Sequence, residues 1–214
     1  MHRQAKLCAL LLVALSCAHE PTLEQRLIGT WRAELESPGG PLPFTLRIYE
    51  EGGGLAAVAV NGEEEAPFSH VRPTDTGVEL ATDWYDSEIR AELDRFSGEL
   101  MTGRWRKTAP AGDSILAFKA VRNDLPNRPA APLEFAAGAE HPSMPTSVAG
   151  DWAMELTDEN GTEPARGEFR QEGNRVTGTV LTPVGDYRYL EGSYELERLR
   201  LSTFDGAHAF LFDG

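Results

Sequence analysis

Short alternations of apolar and polar residues run through most of the chain, interrupted by glycine, proline and asparagine. The segment FTLRI at 44–48 and the segment LRLST at 199–203 both alternate strictly. A period of two residues is typical of a strand with one buried face. No long stretch carries apolar residues at helical spacing, so we expect little helix. The pattern predicts an all-β protein with about eight strands in residues 27–122 and about six in residues 148–214.

The chain also contains an internal repeat. The segment GTWRAEL at 29–35 recurs as GDWAMEL at 150–156, which is an offset of 121 residues. Beyond a contraction of two residues the offset becomes 119 and aligns Leu80 with Leu199 and Asp86 with Asp205. Repetition at a fixed offset is the mark of tandem structural units. We therefore predict two tandem antiparallel modules, each a meander or barrel.

A linker separates the two copies. Residues 123–147 contain five prolines and several alanines, a composition that disfavours regular structure. The first module then covers residues 27–122 and the second residues 148–214. In this alignment the second copy stops before the counterparts of the last two strands of the first. We expect the second module to be incomplete at its C-terminus and the chain to be a fragment of a longer protein.

The N-terminus has the features of a targeting segment. A basic start is followed by an apolar run of nine residues at 7–15, too short to span a bilayer. The run ends in ALSC at 14–17, which resembles a bacterial lipobox. The resemblance implies a lipoprotein signal peptide at 1–17, lipidation of Cys17 and a membrane partner reached through the lipid anchor. The alternative is an ordinary secretory signal cleaved elsewhere.

The same segment predicts where the protein resides and what chemistry it lacks. Ala18 after the cysteine resembles the pattern sorted to the outer membrane, so we expect the periplasmic side of the cell envelope and favour the outer over the inner membrane. The chain has two cysteines, Cys8 and Cys17, and both belong to the processed end. The mature domain would then have no thiol for redox chemistry.

Charge excludes one class of partner. The chain has 34 acidic and 20 basic residues and a net charge of −14. Nucleic-acid binding depends on cationic side chains that neutralise phosphates. We therefore predict no nucleic-acid partner.

The start of each module resembles a known β fold. Gly29 and Trp31, and again Gly150 and Trp152, form the Gly-x-Trp pattern found in the first strand of lipocalins. That resemblance implies lipocalin-like modules in which each tryptophan closes one end of a barrel. It also implies an alternative function, that of a small-ligand-binding lipoprotein.

A second resemblance covers residues 29–214 and is most specific at 178–212. The segments VTGTVLTP at 176–183, GDYRYLEG at 185–192 and LRLSTFDGAHAFLF at 199–212 resemble the β-rich region that precedes the thioredoxin domain in TlpA-type thiol–disulfide reductases. The resemblance implies a non-catalytic accessory domain in the cell envelope and a redox or envelope protein as its partner. The reactive C-x-x-C of that family matches no position here, so no catalytic residue can be carried over.

Few residues are candidates for chemistry. His208 is a possible ligand contact, because the alternation places it on the interior face with Phe204, Phe210 and Phe212. Asp86 and Asp205 lie beside aromatic residues, as carboxylates do in glycosidases, but aspartate is also common in turns. With no nucleophile–base pair in sight, a hydrolase ranks last. We assign no catalytic residue, no cofactor and no metal ligand.

Overall fold

The computed structural model describes residues 20–110, 112–123, 147–158 and 161–214, and most of them lie in β-strands. The only helix in those ranges is α1 (Leu23–Leu27). The all-β prediction is therefore confirmed, with two antiparallel sheets of which the second is smaller. The predicted signal peptide, Cys17 and all but the two end residues of the linker at 123–147 lie outside the described residues.

The first module forms a nine-stranded antiparallel sheet. Its strands are β1 (Gly29–Ser37), β2 (Gly40–Glu51), β3 (Gly54–Asn61), β4 (Glu64–Pro67), β5 (His70–Pro73), β6 (Gly77–Thr82), β7 (Ser87–Leu93), β8 (Leu100–Lys107) and β9 (Ser114–Arg122). Their order across the sheet is β4-β3-β2-β1-β9-β8-β7-β6-β5. The prediction of eight strands missed β4, because two glutamates and a proline in four residues do not have the composition of a strand.

The sheet curves until its two edges approach each other. β9 returns to pair with β1, so the first strand lies at the centre of the sheet. At the edges, the chain between β4 and β5 passes beside β3, where the Phe68 N–H donates to the Ala57 carbonyl at 2.9 Å. The result is a barrel-like module with its alternate side chains directed inward.

The interior of this module is filled. Residues with at most 1% exposure occur on seven of its nine strands or on α1: Leu27, Trp31, Leu35, Leu42, Leu46, Ile48, Val78, Leu80, Ile89 and Met101 are among them. Each of the longer strands contributes alternate positions, as in β7, where Ser87, Ile89, Ala91 and Leu93 are buried and the residues between them are not. The alternating apolar positions of the sequence therefore form a packed core.

Trp31 closes one end of the first module. Its indole N–H donates to the Leu27 carbonyl of α1 at 2.9 Å, and the Arg122 guanidinium of β9 lies over its ring at 4.2 Å from the centroid. The indole is fully buried. The lipocalin-like expectation that this tryptophan closes a barrel end is confirmed for Trp31.

The second module forms a six-stranded antiparallel sheet. Its strands are β10 (Gly150–Asp158), β11 (Gly161–Glu172), β12 (Arg175–Thr182), β13 (Gly185–Glu195), β14 (Arg198–Phe204) and β15 (Ala209–Asp213). They follow one another in chain order across the sheet. Among the described residues, no strand corresponds to β8 or β9, so β10 and β15 are both edge strands.

The repeat is visible strand by strand. β10, β11 and β12 have the same lengths as β1, β2 and β3 and lie 121 residues after them. The pairing is also the same, since Trp31 lies opposite Leu46 and Trp152 lies opposite Gly167. Two tandem copies of one meander are therefore confirmed over these strands.

The later part of the sequence alignment is wrong. Leu80 faces Ile89 across β6 and β7, and its counterpart Leu201 faces Phe212 across β14 and β15. The offset thus stays at 121 at Leu201 and then grows, because the β14–β15 hairpin carries one additional residue pair, Phe204 with Ala209. The predicted contraction to 119 is replaced by an extension of the hairpin tip.

That extended tip, residues 204–208, enters the first module, and we call it the plug. Phe204 is fully buried in the core of the first module, with its ring centroid 4.4 Å from that of Phe44 and 5.9 Å from that of Trp105. The Gly206 carbonyl accepts from Ser87 Oγ at 2.6 Å. The two modules therefore share a core, which the repeat and the linker did not indicate.

Candidate functional site

The second sheet has an open apolar inner surface, whereas the inner surface of the first sheet is covered. Inward side chains of β10 to β15 surround an open cavity of about 1010 Å³. We call this surface the concave face, and its large side chains include Met154, Leu156, Tyr187, Leu199, Phe210 and Phe212. An exposed apolar surface of this kind usually marks a binding site.

Substitutions between the two copies explain why space remains. At the offset of 121, Phe44 is replaced by Ala165 and Leu46 by Gly167, so two large side chains of β2 have small counterparts on β11. The Phe169 ring moves into part of the vacated volume, since a Cβ on Gly167 would meet it at 2.5 Å. The rest of the volume is the cavity.

Strand number is the second reason for the open cavity. In the first module β8 and β9 contribute Met101, Trp105 and Phe118 to the core, and all three are less than 5% exposed. No described strand does the same in the second module. Its inward residues Met154 and Leu156 are consequently only half-buried.

Aromatic side chains line one side of the concave face. Tyr187 contacts both Phe210 and Phe212 edge to face, with centroids 4.9 and 5.1 Å apart. Edge-to-face packing holds rings in fixed positions. The Phe210 side chain is nevertheless 37% exposed, so this cluster can contact a ligand without first rearranging.

One acidic group lies on the inward row of β11. Glu163 takes the place that Leu42 has in the first module and lines the cavity. On β10, Glu155 is exposed on the opposite row from Met154 and Leu156. The rim of the concave face therefore carries negative charge around an apolar centre.

Trp152 differs from its counterpart Trp31. Its indole N–H makes the equivalent bond, to the Val148 carbonyl at 2.7 Å. However, the side chain is 38% exposed, because no described residue lies over it as Arg122 lies over Trp31. The expectation that Trp152 is buried and closes the end of a barrel is wrong, and this tryptophan belongs to the rim of the open module.

The plug is fixed by a residue that the sequence did not single out. The Asn61 carboxamide donates to the Phe204 carbonyl at 2.7 Å and accepts from the Phe204 N–H at 2.9 Å. The pair Asn61-Gly62 is typical of a hairpin turn, and a turn does follow between β3 and β4. No sequence signal indicates that this side chain would act as a strand partner for another module.

His208 is not on an interior strand face. It lies in the turn before β15, where its Nδ1 is 2.9 Å from Asp205 Oδ2 and its ring meets that of Tyr85 edge to face at 4.6 Å. The expected shared face is wrong for Phe204, which lies in the core of the first module. The His208 ring does stack on that of Phe210, with centroids 6.0 Å apart, and Phe210 lines the cavity of the second module. A ligand contact by His208 stays a prediction.

The candidates Asp205 and Asp86, and the nearby Asp186 of the second module, make local structural contacts through a side chain or the backbone. Asp205 Oδ1 accepts from the N–H groups of Ala207 and His208 at 2.8 and 2.6 Å, which is turn chemistry. Asp186 is 2.8 Å from Arg188. Asp86 contributes its carbonyl to the Thr108 N–H. These contacts give no paired acid and base.

Two carboxyl groups near the module interface and the cavity have shifted pKa values. Burial, together with the negative charge of Asp205, raises the pKa of Glu64 above 4.5. A hydrogen bond from Arg198, with the charge of Arg200, lowers the pKa of Asp213 below 3.8. Asp213 therefore stays ionised at the edge of the concave face and holds both arginines of β14.

Within the described ranges, no group of three or more His, Cys, Asp or Glu residues could hold a metal ion. In the same residues, no helix is long and apolar enough to cross a membrane. Comparison with protein-family models, with curated proteins and with solved structures found no match to the chain.

Proposed function

We propose that the protein is a non-catalytic accessory β-domain of the bacterial cell envelope, anchored by a lipid on Cys17, that binds a protein partner on the concave face. The observation that carries this proposal is the open apolar surface of the second sheet. Aromatic residues at the centre of a surface with a charged rim are typical of protein interfaces. Phe210 and Tyr187 provide that centre, and Glu155 lies on the rim.

The resemblance to the region that precedes the thioredoxin domain of TlpA-type reductases supports the same role. Its most specific part, residues 178–212, contains β13, β14 and most of β12 and β15. These strands form much of the concave face. In this proposal the partner is a redox or other envelope protein, and the chain supplies a binding surface and a membrane anchor without its own redox centre.

Accessibility of the concave face in solution tests the binding role. N-phenyl-1-naphthylamine fluoresces when it enters an apolar site, and we expect saturable binding to the full chain. Phe210→Asp should weaken the apparent affinity roughly tenfold, because it places a charge against the dye. Phe96→Asp is the matched control, since Phe96 is 84% exposed on the first module. Equal dye binding by both variants would rule out the concave face as the site.

The anchor and the absence of catalysis have separate tests. Cys17→Ser should release the protein from the membrane fraction of expressing cells, whereas Cys8→Ser should not. The full chain should not reduce insulin disulfides. Retention of Cys17→Ser in the membrane, or cysteine-dependent turnover, would contradict the proposal.

The alternative is a lipocalin-like lipoprotein that binds a small apolar molecule. The filled interior of the first module, with the plug inside it, argues against a ligand there. A cavity of about 1010 Å³ favours a ligand in the second module, because small-molecule pockets reach about 1,000 Å³. Such sites bury most of their ligand. A dissociation constant for fatty acids below about 1 μM would therefore favour this alternative.

A further inference from the structure

We infer that the occupant of the concave face is a two-stranded antiparallel β-hairpin, which pairs with both free edges of the second sheet and lays alternate apolar side chains on that face. The inference rests on the proposed function and specifies the chemistry of its partner. One outward position of the hairpin, and one inward position at its end, carry basic side chains. The reasons come from the first module, from the edges and from the charges.

The first module shows what covers this position in the other copy. There the hairpin of β8 and β9 lies between β7 and β1 and pairs with both. Its inward residues Met101, Trp105 and Phe118 complete the core. The second module repeats β1 and β7 as β10 and β15, and it has an apolar face between them. The repeat therefore defines both the width and the pattern of the missing contact.

The edge of β10 offers hydrogen-bonding groups on the correct side. In the first module the Thr30 carbonyl accepts from the Asn123 N–H at 2.7 Å, so the backbone groups of Thr30 and of every second residue after it face β9. Because alternate residues of a strand direct their backbone groups to opposite sides, the equivalent groups of Asp151, Ala153 and Glu155 face the free edge. An edge that no strand of the described residues covers is a template for strand addition.

The edge of β15 is arranged in the same way. Gly214 and Leu199 exchange two backbone hydrogen bonds at 2.7 and 2.9 Å, which directs the backbone of Gly214 towards β14. By alternation the backbone groups of Leu211 and Asp213 face away from β14. Both edges can therefore donate and accept at once, and a hairpin satisfies both where a single strand satisfies one.

Charge indicates the sign of two hairpin side chains, one on the outward row and one at the inward end of the last strand. In the first module Lys119 of the hairpin lies 3.9 Å from Glu34, and Arg122 lies over Trp31. The counterparts Glu155 and Trp152 are both exposed. Cations at these two hairpin positions would meet an acidic group and an aromatic ring, as they do in the first module.

The chain itself supplies the probe for a test. A fluorescent peptide with the sequence of residues 99–122, closed by a disulfide through Leu100→Cys and Val121→Cys, keeps the hairpin folded. That pair suits a disulfide because it neighbours the hydrogen-bonded pair of Arg122 and Glu99 and its Cα atoms are therefore about 4.5 Å apart. Fluorescence anisotropy with the full chain should show saturable binding, and a peptide of scrambled order should not bind.

Two variants separate edge pairing from general adhesion. Ala153→Pro removes an N–H from the free edge and leaves the β10–β11 pairing intact, since proline is tolerated where its nitrogen faces solvent; it should weaken binding at least tenfold. Glu155→Lys should weaken binding of the natural sequence and restore it with a Lys119→Glu peptide. Unchanged binding to Ala153→Pro, or a failed charge exchange, overturns the inference.

The naphthylamine dye distinguishes this inference from the function on which it rests. Displacement of the dye by the hairpin peptide supports both. If the dye binds and no hairpin displaces it, the concave face remains a binding surface but its occupant is not a hairpin. If neither the dye nor the peptide binds, the proposed function fails as well.

Discussion

The two tryptophans that begin the modules make the same hydrogen bond but differ in burial. Trp31 donates to Leu27 and is fully buried, while Trp152 donates to Val148 and is 38% exposed. The local sequence is therefore sufficient to orient each indole against the chain four residues before it. Burial depends on what the rest of the module brings over the ring, which is Arg122 of β9 in the first module.

The same contrast extends to the two interiors. The first module combines nine strands, large side chains such as Leu46 on β2 and a plug donated by the second module. The second has six strands in the described part of the chain and Gly167 where Leu46 would be. A duplicated meander has thus become one filled module and one open one, and the tip of the β14–β15 hairpin of the open module fills part of the other.

The largest effect is expected at the paired tryptophans. Trp31→Ala should lower the free energy of unfolding by about 3–5 kcal/mol, because it leaves a cavity in a packed core. Trp152→Ala should cost roughly 1 kcal/mol, the value of one hydrogen bond and limited burial. Urea unfolding of both variants measures the difference. Equal losses would mean that the second tryptophan is also covered in solution.

Much of the strand repeat could be predicted from the sequence, and the alternation explains where the prediction failed. The segment 29–35 and its copy at 150–156 located β1 and β10 at the correct offset. A shift of two residues preserves a period of two, so alternation could not distinguish the predicted Leu80–Leu199 match from the observed Leu80–Leu201 match. For the same reason, alternation could not show whether the offset between the two copies contracts or extends.

The plug and its partner could not be predicted for a different reason. Alternation assigns Phe204 to a face of its strand but does not reveal which module that face contacts. Asn61 is a good turn residue in any protein, and its bonds to Phe204 connect positions 143 residues apart. Contacts of this kind depend on how two folded units meet, and no pattern within either unit encodes them.

The bond between Asn61 and Phe204 gives a sharper test of how far the modules depend on each other. Asn61→Ala leaves the N–H and the carbonyl of Phe204 buried without these partners, and we expect a loss of about 2–3 kcal/mol in the free energy of unfolding. Because the modules share a core, both should still unfold in a single transition. Intrinsic tryptophan fluorescence in urea reports the transition.

An asparagine of the second module is the control for that substitution. The exposed Asn174 side chain bonds Glu195 at 2.9 Å, and Asn174→Ala should change stability by no more than about 0.5 kcal/mol. If Asn61→Ala is equally mild, the plug is retained by the packing of Phe204 alone.

The smallest effect should appear at Glu64, which borders the plug from the first module. Burial and Asp205 raise its pKa above 4.5, so the folded protein binds this proton more tightly than the unfolded chain. Its contribution to stability is therefore complete below pH 4.5 and is lost as the pH rises through the folded-state pKa. Glu64→Gln should match the wild type at pH 4 and be slightly more stable at pH 7, in urea unfolding at both values. Glu63→Gln, at the exposed neighbouring position, is the matched control variant. A gain at pH 7 would show that the plug remains docked beside Glu64 in solution, and a pH-independent difference would place the two modules apart.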